Sequence, residues 1–315
     1  MNIGERLVRV RRSVTAWFDA TASDVASGSG RRIDPVRLLP FIAIHAGCLF
    51  VPWVGVSTAA LAAAIALYAL RMFAITAFYH RYFSHAAFRA GRIAQFLFAV
   101  LGASAAQRGP LWWASHHRHH HVHSDEPADS HSPLRHGMLW SHVGWFMAAE
   151  NFPARGALVR SLARFPELRF LDRWDSLVPL SLAGLLWAGG EWAAARAPGL
   201  GTSGAQMVVW GFCISTVALY HATFSINSLA HRFGSRRYPT RDGSRNNPWL
   251  AVLTFGEGWH NNHHHYPASA RQGFFWWEVD LSWYGLKLLE ALGIVRDLRP
   301  VPREIRGSER KHLEA

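Results

Sequence analysis

Along the chain, long apolar runs alternate with polar stretches rich in arginine and histidine. Residues 38–56 are almost wholly apolar. After Ser57-Thr58 a second run reaches residue 79 with Arg71 as its only charge. Each run is long enough for a hydrocarbon core of roughly 30 Å at about 1.5 Å per residue. Two such runs joined by a tight turn predict a membrane hairpin, with Arg71 close enough to the polar end to snorkel there. A second hairpin is expected from 177–195, interrupted only by Glu191, and 207–227, which contains His221. The stretch 93–106 is apolar but too short for a comfortable span, and 139–149, with Trp140 and Trp145, is similar; both read as interfacial segments. Beyond Asn227 the chain is polar and aromatic, with no further span. The fold class expected is therefore all-α integral membrane: spans at about 38–56, 58–79, 177–195 and 207–227 form two hairpins, and a His-rich helical cap lies on one side.

Boundaries follow from the same pattern: an Arg-rich segment at 1–37, the main domain at 38–300 and a polar tail at 301–315. Residues 27–32 read as flexible. No apolar h-region follows the arginines near Met1, so no cleaved signal peptide is expected. Two hairpins put the N-terminus, residues 80–175 and everything after Asn227 on one side of the membrane. That side carries nearly all the arginine, which makes it cytoplasmic by the positive-inside rule.

Charge then changes the picture less than its size suggests. The net charge of +12 is nearly all arginine, with Lys287 and Lys311 the only lysines. Its distribution reads as topology and contact with anionic lipid, and no nucleic-acid-binding motif accompanies it. Abundant arginine and alanine beside scarce lysine point to a GC-rich bacterial genome, hence a bacterial cytoplasmic membrane. Cys48 and Cys213 are the only cysteines, which excludes a disulfide framework and any four-cysteine metal site.

The candidate chemistry lies in the 19 histidines. His117, His120 and His121 share the spacing H-x-x-H-H with His260, His263 and His264, and positions i, i+3 and i+4 are helix neighbours. His80 and His85 are an i, i+5 pair, which faces one way only if the helix end unwinds. Asn227 and His231, at i, i+4, end the fourth span on the same side. Nine histidines with Asn227 suffice for one large site or two adjacent metals; without cysteine, these suit iron handling O₂ or zinc doing hydrolysis. A His-rich metal transporter or sensor predicts ionisable groups along a path through the spans, whereas here they cluster at one end.

The stretches HRYFSH at 80–85, GPLWWASHHRHHH at 109–121, SHVGW at 141–145, HATFSINSLAH at 221–231 and GEGWHNNHHHYP at 256–267 carry a resemblance. Together they resemble the membrane fatty-acid desaturases of the Δ9 acyl-CoA (stearoyl-CoA) type, over about residues 38–300. The resemblance implies two irons held by His80, His85, His117, His120, His121, His231, His260, His263 and His264, with Asn227 acting through water. It leaves His116 and His119 as outer or surface groups, and it places Gln107, Trp113 and Thr223 at the bend of an acyl tunnel. It further implies an oxidative reaction with O₂ as co-substrate: two hydrogens leave adjacent methylenes of a long-chain acyl group, with a CoA thioester as the favoured carrier. Electrons would come from an external donor of the ferredoxin or cytochrome b5 type with its reductase. A hydroxylase on the same scaffold is the alternative reaction.

Overall fold

In a computed structural model of the protein, residues 3–22 and 31–308 are described, and of the segment expected to be flexible, residues 27–30 lie outside them. The chain is overwhelmingly helical; the two strands, Arg89–Ala90 and Val295–Arg296, pair antiparallel. Among the described residues two helices are long and apolar enough to cross a membrane, Thr58–Ser84 and Gly204–His231. A shorter apolar helix, Leu39–Val54, precedes the first, and a helix of 20 residues, Leu177–Arg196, precedes the second.

Local chemistry sets the ends of these helices. Ser57 caps Thr58–Phe73 by accepting from the Ala60 backbone N–H, the usual role of a serine at that position. Glu191 accepts from the Gly204 backbone N–H across the connection between Leu177–Arg196 and the next helix, so it ties that turn together. The turn is tight: a Cβ on Gly190 would stand 2.5 Å from the Ser203 carbonyl oxygen.

Arg71 does not snorkel. It is fully buried, and its guanidinium donates to Thr216 Oγ1 at 2.7 Å, to the Ser104 carbonyl at 3.3 Å and to Ser215 Oγ, while Nε donates to the Leu67 carbonyl. Hydroxyls on the facing helix offer acceptors nearer than the interface, so the arginine joins Thr58–Ser84 to Gly204–His231. Nor is Trp145 interfacial. It is buried, stacked 5.7 Å from Trp112, while neighbouring Leu139 is 77 % exposed.

The widest departure from regular geometry is the segment Ala74–Ser84, a π-helix of 11 residues that continues Thr58–Phe73. In a π-helix the backbone bond runs from i+5 to i. His85 N accordingly donates to His80 O at 3.2 Å, which sets the two histidines one above the other. The helix widens where the sequence predicted unwinding, and both rings turn inward. Arg92–Ala103 packs against this segment closely enough that a Cβ on Gly102 would clash with the Tyr79 ring at 2.0 Å. Pro110–His123 also packs against it.

Candidate metal centre

All nine histidines singled out by spacing meet at the junction of four elements, and they divide into two groups. His80, His85, His117, His121 and His263 each offer a ring nitrogen within 4.8 Å of the others; His120, His231, His260 and His264 do the same. Each H-x-x-H-H triplet therefore straddles both groups. The i, i+4 pair His117 and His121 joins the first and His120 the second, whereas His260 and His264 join the second and His263 the first. The groups share a wall, with His121 stacked on His264 at 4.5 Å between centroids.

The ring nitrogens approach one another at separations that also suit ligands of a shared ion. Nε2 of His85 and His117 are 2.8 Å apart, His263 and His121 2.9 Å, His80 and His263 3.0 Å, and His260 and His231 3.0 Å. Nitrogen ligands at about 2.1 Å from a metal and at right angles to each other stand roughly 3.0 Å apart. His264 Nε2, buried and without a hydrogen-bond partner, belongs to the second group. Burial, reinforced by the neighbouring rings, holds His85, His117, His121, His260 and His263 well below the usual histidine range, and His264 at about 4. They are neutral near pH 7 and present lone pairs. A dense set of neutral imidazoles without thiolates suits iron, zinc, copper or nickel, and the residues present fit two such ions.

Around the rings lies a shell of carboxylates that the sequence reading did not single out. Asp242 Oδ2 lies 2.6 Å from His264 Nδ1, Asp129 Oδ2 3.0 Å from His120 Nδ1 and Asp125 Oδ2 3.0 Å from His231 Nδ1, while Glu257 meets His80 Nδ1. Accepting at Nδ1 fixes the tautomer and turns Nε2 to the metal side, the usual arrangement behind a metal-bound histidine. Burial raises the pKa of Asp125, but the His231 hydrogen bond and charge outweigh it and bring the group to about 2. Glu257 also lies below its ordinary value: burial opposes, and the charges of His80 and Arg81 prevail. For Asp125, Asp129 and Glu257 the signal was present in the runs Ser124–Ser130 and Gly256–His260, where acids interrupt a basic chain beside the histidine clusters; Asp242 stands apart from both.

His116 points elsewhere, with Nε2 against the Pro153 carbonyl at 3.0 Å, and burial lowers its pKa to about 3. His119 is half-buried and packs against His123, their rings tilted by 48°. Neither belongs to a group. A cavity of about 490 Å³ opens beside the first group, lined by His117, Asn227, Gln107, Trp113 and Thr223 and by an aromatic wall that includes Phe41, Tyr220 and Phe224. Gln107 Nε2 donates to Thr223 Oγ1 at 2.8 Å and Trp113 Nε1 donates to Gln107 Oε1 at 3.4 Å, so the three expected tunnel residues form one linked set.

Buried and half-buried histidines in two groups of a size to hold a metal ion lie at the end of long apolar helices and beside a mostly apolar cavity, the arrangement of a candidate metalloenzyme. The fatty acid desaturase family model matches residues 56–300, and the chain belongs to that family. It is an oxidoreductase. It is 36 % identical over 281 residues to an sn-1 stearoyl-lipid 9-desaturase of Anabaena variabilis, covering 87 % of this chain and 97 % of that one. It is 35 % identical over 286 residues to a Delta-9 acyl-lipid desaturase of Arabidopsis thaliana, covering 90 % and 88 %. Against an acyl-CoA 5-desaturase of Anemone leveillei it is 36 % identical over 266 residues, 83 % and 78 %.

Proposed function

We propose that the chain is an O₂-dependent di-iron desaturase that introduces a cis double bond at Δ9 of a long-chain acyl group. The supporting observation is the contact between chemistry and cavity: His117 belongs to the first histidine group and also lines the space in which Gln107, Trp113 and Thr223 are linked. His80, His85, His117, His121 and His263 would hold one iron. His120, His231, His260 and His264 would hold the other, with Asn227 acting through water. Bound iron would supply the O₂ chemistry that removes hydrogen from unactivated methylenes. The chain's own contribution is to seat the acyl group. Trp113 and the Gln107–Thr223 pair fix which carbon–carbon bond faces the histidines, and the aromatic wall keeps bulk water away. Arg37 and Arg108, which also line the cavity, supply guanidinium groups for a phosphate-bearing carrier, a feature shared by CoA and glycerophospholipids. Electrons come from an external protein donor.

In this reading Leu39–Val54, Thr58–Ser84, Leu177–Arg196 and Gly204–His231 are the four spans, with both termini cytoplasmic in a bacterial inner membrane. The deciding experiment is fatty-acid analysis and iron content of cells expressing wild type beside His120→Ala. A new cis-9 monounsaturated acid with wild type alone supports the proposal, a hydroxylated acid would reassign the reaction, and unchanged lipids with iron-loaded protein and a working donor would refute it. Supplying the acyl group as CoA thioester and as glycerolipid assigns the carrier.

A further inference from the structure

The loop that carries Gln107 into the cavity is strained on both sides of that residue. Ala106 has φ +55° and Arg108 φ +71°, the left-handed region in which a side chain crowds its own backbone. Ala106 stands just past the end of Arg92–Ala103, a place where glycine is the usual left-handed residue. Such a conformation persists only where its surroundings hold it, and it gathers at sites of function. Here the holding groups can be named. Tyr220 Oη donates to the Ala106 carbonyl at 2.7 Å. Arg71 Nη1 reaches the Ser104 carbonyl at 3.3 Å and Tyr79 Oη the Arg108 carbonyl at 3.4 Å. Both are long for hydrogen bonds, so Tyr220 makes the firmest side-chain attachment to the loop backbone. A buried tyrosine hydroxyl needs an acceptor wherever it lies, but this one takes the peptide that joins Ala106 to Gln107. A peptide is planar, so fixing its carbonyl also fixes the direction in which the Gln107 N–H and Cα leave. One turn further along the same helix, Thr223 Oγ1 accepts from Gln107 Nε2 at 2.8 Å. Ser215–Ser228 thus grips Gln107 at both ends, the backbone through Tyr220 and the amide through Thr223. The Tyr220 ring is buried and stacked between Phe41, 5.6 Å away, and Phe224, 5.4 Å away, which leaves its hydroxyl little freedom to turn elsewhere.

We propose that Tyr220 is a positioning residue of the reaction: through the Ala106–Gln107 peptide it holds the Gln107 amide in its place along the cavity, and so selects the carbon–carbon bond that faces the histidines. The inference deepens the desaturase reading and rests on it. Tyr220, Gln107 and Thr223 line the same cavity, and Trp113 Nε1 donates to the amide's other atom, Gln107 Oε1, at 3.4 Å. Each polar atom of the Gln107 side chain therefore has a partner in the cavity wall, and both partnerships depend on the backbone beneath. Relaxing φ at Ala106 swings the following peptide and carries the amide with it. Without the Tyr220 hydroxyl nothing from the facing helix holds that carbonyl against the strain, and the amide samples more than one position. Small excursions suffice, because a misplacement of about 1 Å is enough to change rates in such a site and neighbouring carbons of a chain are hardly further apart.

Tyr220→Phe in the full-length, iron-loaded protein is the test, since it keeps the stacked ring and removes only the hydroxyl. Two measurements are made on the same samples. Deuterium exchange read by mass spectrometry should show the backbone amides of 104–109 opening roughly tenfold faster in the variant, with the rest of the chain unchanged. Product analysis should show alkenes at neighbouring positions beside the wild-type one, and kcat lower by about fivefold at an unchanged KM for the acyl substrate. Equal exchange in the two proteins would overturn the proposal, even with a shifted product, because the hydroxyl would then act on the chain directly and not through the loop. Faster exchange with a single unshifted product at the wild-type kcat would overturn the selecting role. If wild type made no alkene at all, the desaturase reading would fail, while the exchange result still decided whether Tyr220 holds the loop.

Discussion

His264 Nδ1 and Asp242 Oδ2 lie 2.6 Å apart, both almost fully buried, and the ring's other nitrogen is a member of the second histidine group. Asp242 lies far below the ordinary carboxylate range: burial opposes, and the His264 charge and hydrogen bond prevail. Its carboxylate also accepts from the Ser244 backbone N–H at 3.0 Å, so the loop holds the acid and the acid holds the ring. Asp242→Asn keeps the shape but removes the anion. Iron affinity of the second site should fall by roughly 10–100-fold, the usual cost of losing such a partner. Iron titration of the purified variant checks this; an unchanged affinity would show that Asp242 only shapes the loop.

The run of histidines at 116–121 gives a sharper contrast within one helix. His120 stands in the second group, while His116, one turn earlier, turns its Nε2 to the Pro153 carbonyl. His120→Ala should lose iron and activity together. His116→Ala should keep both irons and lose only stability, because it removes one hydrogen bond and a ring packed 4.6 Å from Trp112, a cost of about 1–3 kcal/mol. Metal analysis beside thermal denaturation of the two variants separates the roles.

Which features were legible in the sequence follows from their range. The spacing i, i+4 is local geometry, so His117 with His121 and His260 with His264 were readable as neighbours. Their division between two groups was not, because it depends on how Pro110–His123 and His260–His265 face each other across the site. The i, i+5 pair His80 and His85 was puzzling under ordinary helical periodicity, and its solution needed a π-helix that packing imposes. Arg71 was misjudged for the same reason: its acceptors, Ser215 and Thr216, are far away in the chain. The acids Asp125, Asp129, Asp242 and Glu257 were missed because each acts through a histidine.

Thr223 tests whether the cavity sets the position of reaction. Its hydroxyl accepts from Gln107 Nε2 at 2.8 Å, and it is itself a donor toward the carbonyls of Leu219 and Tyr220. Thr223→Val preserves volume and removes the acceptor, so the Gln107 amide is freed to turn. Iron content should be unchanged. The product should spread to neighbouring double-bond positions, and total activity should fall by about tenfold, corresponding to roughly 1.4 kcal/mol of lost positioning. Mass spectrometry of derivatised alkenes reads the distribution. A single unshifted product at wild-type rate would remove Thr223 from the positioning set.

Asp172 governs stability rather than chemistry. Its Oδ1 accepts from the backbone N–H groups of Leu111 and Trp112, at the start of the helix that carries the second histidine cluster. The approach is so close that a Cβ on Gly109 would stand 2.3 Å from the Asp172 Cα. Burial raises its pKa to about 6, against the two backbone hydrogen bonds and the Arg108 charge, which pull it down, while the Asp175 charge adds to the rise. The folded state therefore binds this proton more tightly than the unfolded chain does. Between the unfolded value of about 4 and the folded value, the folded form carries more protons, so the contribution of Asp172 to stability falls as pH rises through that window and stays low above it. Asp172→Asn keeps an oxygen for both N–H groups and has no charge to bury. It should flatten the pH dependence of thermal stability between about pH 4 and 6, and at pH 8 it should be at least as stable as wild type. Melting curves of the two proteins in the same detergent across that range provide the check. A variant less stable than wild type at pH 8 would show that the carboxylate charge, drawn to the helix N-terminus, outweighs its burial.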